Sequence, residues 1–174
     1  MKISYIRIQN FKSIRDLEIT ELENALILVG KNNTGKTNVI DAILAATGYH
    51  TVCTEEFLDP QKSIDITLSI EFTEEDLQSY QTRGMVSRHR DYEKWLEEFR
   101  SLIPSFQDNT VTFTFHINPE HKVRYNDGFQ KNNPYIREIF PKIYHIDQTR
   151  NLDTLQNDVF SFYDKESFEM LKDN

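Results

Sequence analysis

The chain has 174 residues, with 20 Lys and Arg against 28 Asp and Glu, so its formal net charge at pH 7 is -8. A chain of about this length forms one domain or one large lobe, and its acidic balance argues against a protein that coats nucleic acid with a basic surface. A single cysteine excludes an intrachain disulfide and a multi-cysteine metal site. No apolar run approaches the ~18 residues of a membrane span, so we expect a soluble, cytoplasmic domain without a membrane partner.

The first part of the chain predicts two short strands, a buried strand and a helix. Residues 3–8 and 17–20 alternate apolar and polar side chains, which is typical of strands with one buried face. Residues 25–29 form a continuous apolar run, as in a strand that is buried on both faces. From Thr37 the apolar residues recur at helical spacing, and the helix is predicted to end near Gly48.

Further along the chain, two segments with strict alternation predict the strands of an antiparallel sheet. These are residues 64–72 and 110–117, and residues 122–125 are predicted to pair back as a hairpin after an Asn-Pro turn. Helices are predicted to begin after the N-cap residues Thr73 and Asp91. The second helix carries an apolar stripe that we expect in the core: Tyr92, Trp95, Leu96, Phe99, Leu102 and Ile103.

The remaining segments predict a loop, a solvated pair of acids, a strand and a final helix. The charge-rich stretch 80–91 is the best candidate for a mobile, exposed loop, and the adjacent Glu55 and Glu56 are interpreted as a solvated helix end. Residues 143–147 predict another strand, and residues 152–174 have helical spacing.

The eight residues from Gly30 to Thr37 match the pattern G-x-x-x-x-G-K-[ST] of the Walker A phosphate-binding loop. Glycines permit the tight turn, and the loop amides together with the start of the following helix form a cradle for anions. In this chemistry Lys36 reaches the outer phosphates of a nucleotide, and the Thr37 hydroxyl binds Mg²⁺. Such a match arises by accident in about one chain in a thousand of this composition. The sequence therefore predicts a nucleotide-phosphate site.

Two motifs near the N-terminus together resemble those of a known family. Residues 10–13 read N-F-K-S, and residues 30–43 read G-x-N-x-T-G-K-T-N-x-x-D-A-I. This pairing resembles the N-terminus of the SMC/RecF-like branch of the ABC ATPases, and the match is close over residues 1–46. The branch includes the OLD-family ATP-dependent endonucleases, which the chain resembles most, and related AAA-type defence ATPases.

The resemblance implies an α/β fold, namely the N-terminal lobe of a P-loop NTPase head of the ABC type, in which a mixed sheet with antiparallel strands is flanked by helices. Residues 1–150 would form this lobe, and residues 151–174 would begin a helical insertion that is truncated. In that family a C-terminal lobe of the parent chain carries the signature and Walker B motifs. Two heads pair as a homodimer with ATP between them, and DNA is a further expected partner.

The resemblance also assigns residues to ATP and Mg²⁺. Thr37 and Gln148 would bind Mg²⁺, and Gln148 would also act as the catalytic Q-loop glutamine that contacts the attacking water. The implied cofactor-binding residues are Lys12, Ser13, Gly30, Asn32, Asn33, Thr34, Gly35, Lys36, Thr37 and Asn38.

Two motifs that this family needs for hydrolysis are absent from the sequence. There is no L-S-G-G-E-like signature, and no run of four aliphatic residues ends in Asp-Glu. The chain alone would therefore bind nucleotide weakly and hydrolyse it poorly, and ATPase or ATP-dependent endonuclease activity would belong to the full-length parent. The resemblance suggests DNA repair, chromosome maintenance or anti-phage defence without choosing among them.

One alternative is that the chain is a complete small NTPase. In that interpretation residues 143–147 are a degenerate Walker B, Asp147 binds Mg²⁺ through water, and Gln148 orients the nucleophile as a glutamine does in GTPases. No N-K-x-D motif for guanine is present, which disfavours a GTPase.

Two further alternatives concern DNA. A metal-nuclease pattern occurs at Asp108, Glu120 and Lys122, but Glu120 falls in a predicted turn, so a hairpin loop is favoured. In the other alternative the chain is a non-hydrolysing, ATP-switched interaction module that contacts DNA phosphates through basic residues. The candidate residues are Arg83, Arg88, His89 and Arg90.

Overall fold

Six strands, three α-helices and two 3₁₀ helices make up the regular structure of the described residues. The computed structural model describes residues 1–20, 22–23, 26–29, 31, 35–140 and 143. The strands are β1 (Lys2–Phe11), β2 (Ile14–Ile19), β3 (Ile64–Glu71), β4 (Phe106–Gln107), β5 (Thr110–Ile117) and β6 (Val123–Asn126). The α-helices are α1 (Lys36–Ala46), α2 (Glu74–Thr82) and α3 (Tyr92–Leu102), and the 3₁₀ helices are Thr54–Glu56 and Pro134–Ile139. None of these helices is long and apolar enough to cross a membrane.

All six strands join one sheet within the unit Met1–Pro141, and every pairing among them is antiparallel. β1 lies between β2 and β3, and β3 pairs on its other side with β5. The far edge of β5 pairs with β4 near its start and with β6 near its end. The strands predicted at 64–72 and 110–117 and the hairpin at 122–125 are confirmed. The combination of sheet and helices confirms the α/β fold class.

One face of the sheet is apolar and forms the core together with residues of all three α-helices. In α3, Trp95 and Phe99 are 0% exposed, and their ring centroids lie 5.0 Å apart. The helix begins where predicted, because the Asp91 side chain accepts a hydrogen bond from the Lys94 N–H at 3.0 Å. The core position of the predicted stripe is confirmed at Trp95, Phe99 and Ile103.

The opposite face of the sheet is polar, and its side chains bond across neighbouring strands. The hydroxyls of Thr67 and Thr114 lie 2.8 Å apart, and His116 Nδ1 lies 2.7 Å from Asp65 Oδ1. These residues occupy directly paired positions of β3 and β5. One buried and one polar face is what strict alternation predicts for an antiparallel sheet.

The buried strand predicted at 25–29 is absent from the described residues 26–29. None of the four lies in a strand, and Ile27 and Val29 are 81% and 89% exposed. A strand forms where another strand takes up its backbone hydrogen bonds, and no described strand pairs with this segment. The prediction of a buried strand was therefore wrong for these residues.

The predicted loop at 80–91 is shorter than expected. Residues 80–82 belong to α2, and Tyr80 is buried. The side-chain amide of Gln81, in the last turn of α2, donates to the carbonyl of Arg90 at 2.8 Å. The segment after α2 is therefore tied back to the end of that helix.

Candidate functional site

The predicted phosphate site includes the N-terminus of α1. Gly35 precedes the helix with φ 87° and ψ 10°, a left-handed conformation that favours glycine. Within the described chain, no side chain caps the first amides of α1, and its first turn contains no acidic residue. These amides lie at the positive end of the helix dipole, so this end of α1 favours an anion.

Lys36 and Thr37 are the first two residues of α1. Lys36 Nζ donates to the carbonyl oxygen of Lys31 at 2.6 Å, so the ammonium lies against the loop that precedes the helix. The Thr37 side chain is exposed, and its hydroxyl is the kind of oxygen ligand that Mg²⁺ accepts. The cation and the hydroxyl are therefore both carried by the first turn of the helix.

The turn between β1 and β2 contacts this end of α1. Asn38 Nδ2 donates to Ser13 Oγ at 2.8 Å. A Cβ atom on Gly35 would lie 3.2 Å from the same oxygen, which is closer than ordinary van der Waals contact. The structure thus brings together Ser13, Gly35 and Asn38, three residues that the family resemblance assigns to the phosphates.

Lys12, the other residue of this turn, is bonded to two carboxylates. Its Nζ lies 2.6 Å from Asp41 Oδ2 in α1 and 3.1 Å from Glu56 Oε1. Burial lowers the pKa of Lys12, but the bonds to the two carboxylates outweigh this and raise the pKa above its ordinary value. Asp41 lies about 7.5 Å along the helix axis from Lys36. Contact of Lys12 with phosphates therefore stays a prediction.

Glu56 belongs to this cluster, contrary to the prediction that Glu55 and Glu56 are both solvated. Glu55 is exposed, whereas Glu56 is 7% exposed. Its carboxylate accepts a hydrogen bond from the Cys53 N–H at 2.9 Å and lies 2.8 Å from His50 Nε2. Burial raises the pKa of Glu56, but Cys53, Lys12 and His50 together lower it below its ordinary value. Nothing in an adjacent pair of glutamates indicates which one will be buried.

Asn10, which opens the N-F-K-S motif, fixes the chain that follows the 3₁₀ helix Thr54–Glu56. Its Nδ2 donates to the carbonyls of Asp59, Lys62 and Ser63 at 3.0, 2.9 and 3.2 Å. Its Oδ1 accepts a hydrogen bond from the Asp59 N–H at 2.7 Å. Asn10 is 8% exposed with φ 60°, a left-handed conformation that asparagine tolerates. The first residue of the motif therefore anchors the end of β1, just before the β1–β2 turn, to residues 59–63.

Other predicted site residues lie outside the described part of the chain. These residues are Gly30, Asn32, Asn33, Thr34, Asp147 and Gln148. The strand predicted at 143–147, apart from Ile143, and the helix predicted at 152–174 also lie outside it.

The carboxylates of the metal-nuclease alternative are far apart. Asp108 lies in the turn before β5, and Glu120 lies in the turn after it, where Asn118 donates to its carboxylate. The 8 residues of β5 span about 27 Å, so the two acids cannot bind one metal ion. In the ranges that the structure describes, no group of three His, Cys, Asp or Glu residues could hold a metal ion.

A match to a known protein family covers the whole sequence. The family described as AAA ATPase domain matches residues 1–174. The chain belongs to this family. Membership implies that the domain uses a nucleotide together with Mg²⁺, in agreement with the motif at 30–37. No curated protein matches the sequence.

Solved structures of SMC heads are similar to this AAA ATPase domain. One, from a study of ATP-driven dimerisation and DNA-stimulated activation of SMC ATPases, is 16% identical with a TM-score of 0.46, and the match covers 72% of this chain and 68% of that one. An Smc head bound to the C-winged helix domain of ScpA is 15% identical, with a TM-score of 0.45 and coverage of 72% and 35%. An Smc head domain with a coiled coil and joint derived from Pyrococcus yayanosii is 16% identical, with a TM-score of 0.45 and coverage of 74% and 23%. This AAA ATPase domain therefore spans about a third or less of the last two chains.

The residues at the start of α1 fit the phosphates of the nucleotide that an AAA ATPase domain uses. Gly35 leaves open a space that a Cβ atom would fill next to Ser13. The helix start, which no described side chain caps, and Lys36 would supply donors and positive charge for phosphate oxygens. Thr37 would add a hydroxyl for the metal ion that accompanies the nucleotide.

Proposed function

We propose that this AAA ATPase domain binds Mg²⁺-ATP through residues 30–37 and the first turn of α1. The observation that carries the proposal is the left-handed Gly35 in front of a helix whose first amides have no side-chain cap among the described residues. Phosphate oxygens are strong acceptors and carry negative charge, so they suit both the amides and the Lys36 ammonium.

Each predicted site residue has a role in this proposal. Thr37 would bind Mg²⁺, and Gln148 would bind Mg²⁺ and contact the attacking water. The residues proposed around the ATP phosphates are Lys12, Ser13, Gly30, Asn32, Asn33, Thr34, Gly35, Lys36, Thr37 and Asn38. The contacts among Ser13, Gly35 and Asn38 support the part of this set that the structure describes.

We further propose that the domain is the N-terminal lobe of a cytoplasmic, DNA-associated ATPase of the OLD, RecF or SMC kind, with a role in DNA repair or antiviral defence. Residues 1–150 would form the lobe, and residues 151–174 would begin a helical insertion. Hydrolysis would need a C-terminal lobe and a second head, because the sequence has no signature or Walker B motif. The exposed Ile27 and Val29 support a further neighbour beside the loop.

Calorimetric titration of Mg²⁺-ATP into the full chain tests the proposed binding site. Replacing Lys36 with alanine removes charge-assisted hydrogen bonds, which contribute roughly 1.5–3 kcal/mol. We therefore expect Lys36→Ala to weaken ATP binding about 10- to 100-fold. The matched control is Lys62→Ala, because Lys62 is an exposed lysine that pairs with Asp59 at 3.2 Å. Equal ATP affinity in Lys36→Ala and the unaltered chain would contradict the proposal.

Steady-state turnover of ATP by the same protein tests whether hydrolysis needs further parts. We expect turnover close to background for the chain alone. Robust Mg²⁺-dependent hydrolysis that Asp147→Asn abolishes would instead favour a complete small NTPase that uses Asp147 as its Walker B acid.

DNA contact through the segment after α2 is a second candidate function. The side chains of Arg83, Arg88 and Arg90 are all exposed, and cations on a surface bind DNA phosphates with strong salt dependence. We expect an Arg88→Gln, Arg90→Gln double variant to bind duplex DNA more weakly and to lower the salt slope by about 2. A Lys131→Gln variant is the control. Salt-insensitive binding, or equal binding by the double variant, would exclude this surface.

A further inference from the structure

Glu56 is the centre of a cluster that joins the β1–β2 turn, α1 and the chain that follows α1. Its carboxylate lies 3.1 Å from Lys12 Nζ and 2.8 Å from His50 Nε2, and it accepts the Cys53 N–H at 2.9 Å. Its main-chain carbonyl accepts the Lys12 N–H at 2.6 Å. Because Glu56 is 7% exposed, water competes little for these bonds, and each of them is stronger than it would be at the surface.

Lys12 is held at both ends by this cluster. Its main-chain N–H and its ammonium both bond to Glu56, and the ammonium also bonds to Asp41 of α1. The φ of Lys12 is 50°, a left-handed value that lysine adopts only where its surroundings compensate for the strain. The conformation of the β1–β2 turn therefore depends on the groups around Lys12.

Ser13 follows Lys12 directly and is placed by the same turn. Its Oγ accepts the Asn38 side chain at 2.8 Å and faces Gly35. A hydrogen bond weakens steeply when its atoms move apart by about 0.5–1 Å. Any movement of the turn at Lys12 would therefore change the contact between Ser13 and the start of α1.

We propose that Glu56 is a positioning residue of the phosphate site, which holds the β1–β2 turn so that Ser13 stays bonded to Asn38 at the N-terminus of α1. This inference rests on the proposed function, because it concerns the same site. Glu56 acts through Lys12 and Ser13 and does not itself contact ATP.

The carboxylate form of Glu56 suits its neighbours better than an amide would. The three groups bonded to its side chain, Lys12 Nζ, the Cys53 N–H and His50 Nε2, can all donate hydrogen bonds. A glutamine at this place would direct its own NH₂ group at one of these donors. Glu56→Gln keeps the size of the side chain and therefore tests the charge and the acceptors alone.

A double-mutant cycle with Ser13→Ala tests whether Glu56 acts through the turn. We expect Glu56→Gln to weaken Mg²⁺-ATP binding about 3- to 10-fold, the effect of one misplaced hydrogen bond. In a chain that already carries Ser13→Ala, Glu56→Gln should have no further effect on ATP affinity. Equal effects in both backgrounds, or no effect in either, would overturn the inference, even if the variant is less stable.

Amide hydrogen exchange of residues 10–15 provides a second measurement that needs no nucleotide. We expect Glu56→Gln to speed exchange of this segment several-fold and to leave β5 unchanged, because β5 does not pair with β1. Unchanged exchange at 10–15 would overturn the inference whatever the ATP result. Faster exchange with unchanged ATP affinity would also overturn it, because the turn would then be held without any consequence for the site.

Glu55→Gln is the matched control, since Glu55 is the adjacent glutamate in the same 3₁₀ helix and is exposed. It should leave ATP affinity and exchange at 10–15 as they are. The Lys36→Ala result separates the two proposals. If the unaltered chain binds ATP in a Lys36-dependent manner while Glu56→Gln binds equally well, only the role of Glu56 fails. If the unaltered chain binds no ATP, the proposed function fails, and exchange alone decides whether Glu56 holds the turn.

Discussion

β3 and residues 26–29 are both rich in aliphatic side chains, yet those of β3 are buried, whereas Ile27 and Val29 are exposed. In β3, Ile66 and Leu68 are 0% exposed, and the backbone pairs with β1 on one side and β5 on the other. By contrast, Ile27 and Val29 are 81% and 89% exposed, and none of the described strands pairs with them. The same kind of side chain therefore has opposite surroundings in two parts of one protein.

The difference shows which packing neighbours an alternating strand and a continuous apolar run each require. An alternating strand has one apolar face, so a single layer of helices covers it while its polar face meets water. A continuous apolar run requires cover on both faces, together with strands on both sides. The described strands pair with β3 on both sides and with residues 26–29 on neither side. Apolar composition thus indicates a tendency to be buried, but the neighbours decide whether burial occurs.

Truncation of Trp95 measures what the buried side of the sheet contributes to stability. Trp95 is 0% exposed, and its indole N–H donates to the Met85 carbonyl at 3.1 Å. Loss of this side chain leaves a cavity and an unpaired carbonyl, so we expect Trp95→Ala to lower the free energy of unfolding by about 3–5 kcal/mol. Urea unfolding followed by circular dichroism suits this measurement, because Trp95 is the single tryptophan.

Tyr49→Ala is the matched control for that measurement, because Tyr49 is an aromatic residue that is 53% exposed. It should change the free energy of unfolding by no more than about 0.5 kcal/mol. A loss below about 1 kcal/mol for Trp95→Ala would mean that the buried face is not the main source of stability, and the contrast with residues 26–29 would lose its basis.

Asn10 tests how firmly the end of β1 is anchored, because it is the residue before the last one of that strand and lies just before the turn that contacts α1. Asn10→Ala would remove the donor shared by the carbonyls of Asp59, Lys62 and Ser63. We expect a loss of about 2–3 kcal/mol in the free energy of unfolding. Asn10→Asp should also destabilise the protein at neutral pH, since a carboxylate would face the same three carbonyls. A loss below about 0.5 kcal/mol for both variants would contradict the structural role of Asn10.

The pH dependence of stability tests the cluster that joins the turn to α1. Burial raises the pKa of Glu56, but its bonds with Cys53, Lys12 and His50 lower the pKa by more than burial raises it. The pKa of Glu56 is therefore below its ordinary value of 4.5. A lowered carboxyl pKa contributes stability that is present above the unfolded pKa and is lost as the pH falls through the folded pKa. We therefore expect the stability advantage of the unaltered chain over Glu56→Gln to be constant near neutral pH and to shrink below about pH 4.5.

Comparing the unaltered chain with Glu56→Gln isolates the contribution of Glu56 to the pH dependence of stability. The other acids titrate in both proteins, so their contributions cancel. The pKa of Lys12 is raised. The stability that Lys12 contributes is therefore fully present below its ordinary pKa and is lost only in alkali, as the pH rises through the folded pKa. An advantage that stays constant down to about pH 3 would show that the Glu56 charge contributes nothing to stability.

The antiparallel sheet could be predicted because its signals are local. Strict alternation in β3 and β5 predicts both their faces and their pairing, and the caps at Thr73 and Asp91 act within three residues of themselves. The loop motif is local as well, and it correctly predicts a helix that starts next to Gly35. These parts of the fold need no knowledge of distant residues.

The cluster around Glu56 could not be predicted because the Lys12 contacts that join it to the β1–β2 turn and to α1 are distant in sequence. Lys12 and Asp41 are 29 residues apart, and no periodicity relates them. The choice of Glu56 rather than Glu55 as the buried acid depends on the path of the 3₁₀ helix between α1 and β3. In the same way, the pattern at 25–29 describes the segment alone and carries no information about its neighbours.

Serine substitutions at Ile27 and Val29 have the smallest expected effect, and they test the contrast between β3 and residues 26–29 most directly. Ile27→Ser and Val29→Ser should each change the free energy of unfolding by no more than about 0.5 kcal/mol, because both side chains already lie in water. Ile66→Ser, the same substitution in β3, should cost at least about 3 kcal/mol, since it leaves a cavity and buries a hydroxyl. Urea unfolding of the three variants under identical conditions gives the comparison.

A loss above about 1 kcal/mol for Ile27→Ser or Val29→Ser would mean that these side chains are covered in solution. Measuring the loss at several protein concentrations then shows what buries these side chains. Burial against a second copy depends on concentration, and burial within one chain does not. With both losses small and independent of concentration, Ile27 and Val29 remain apolar side chains that the described residues leave exposed. That result would support the proposal that a further neighbour packs beside the phosphate loop.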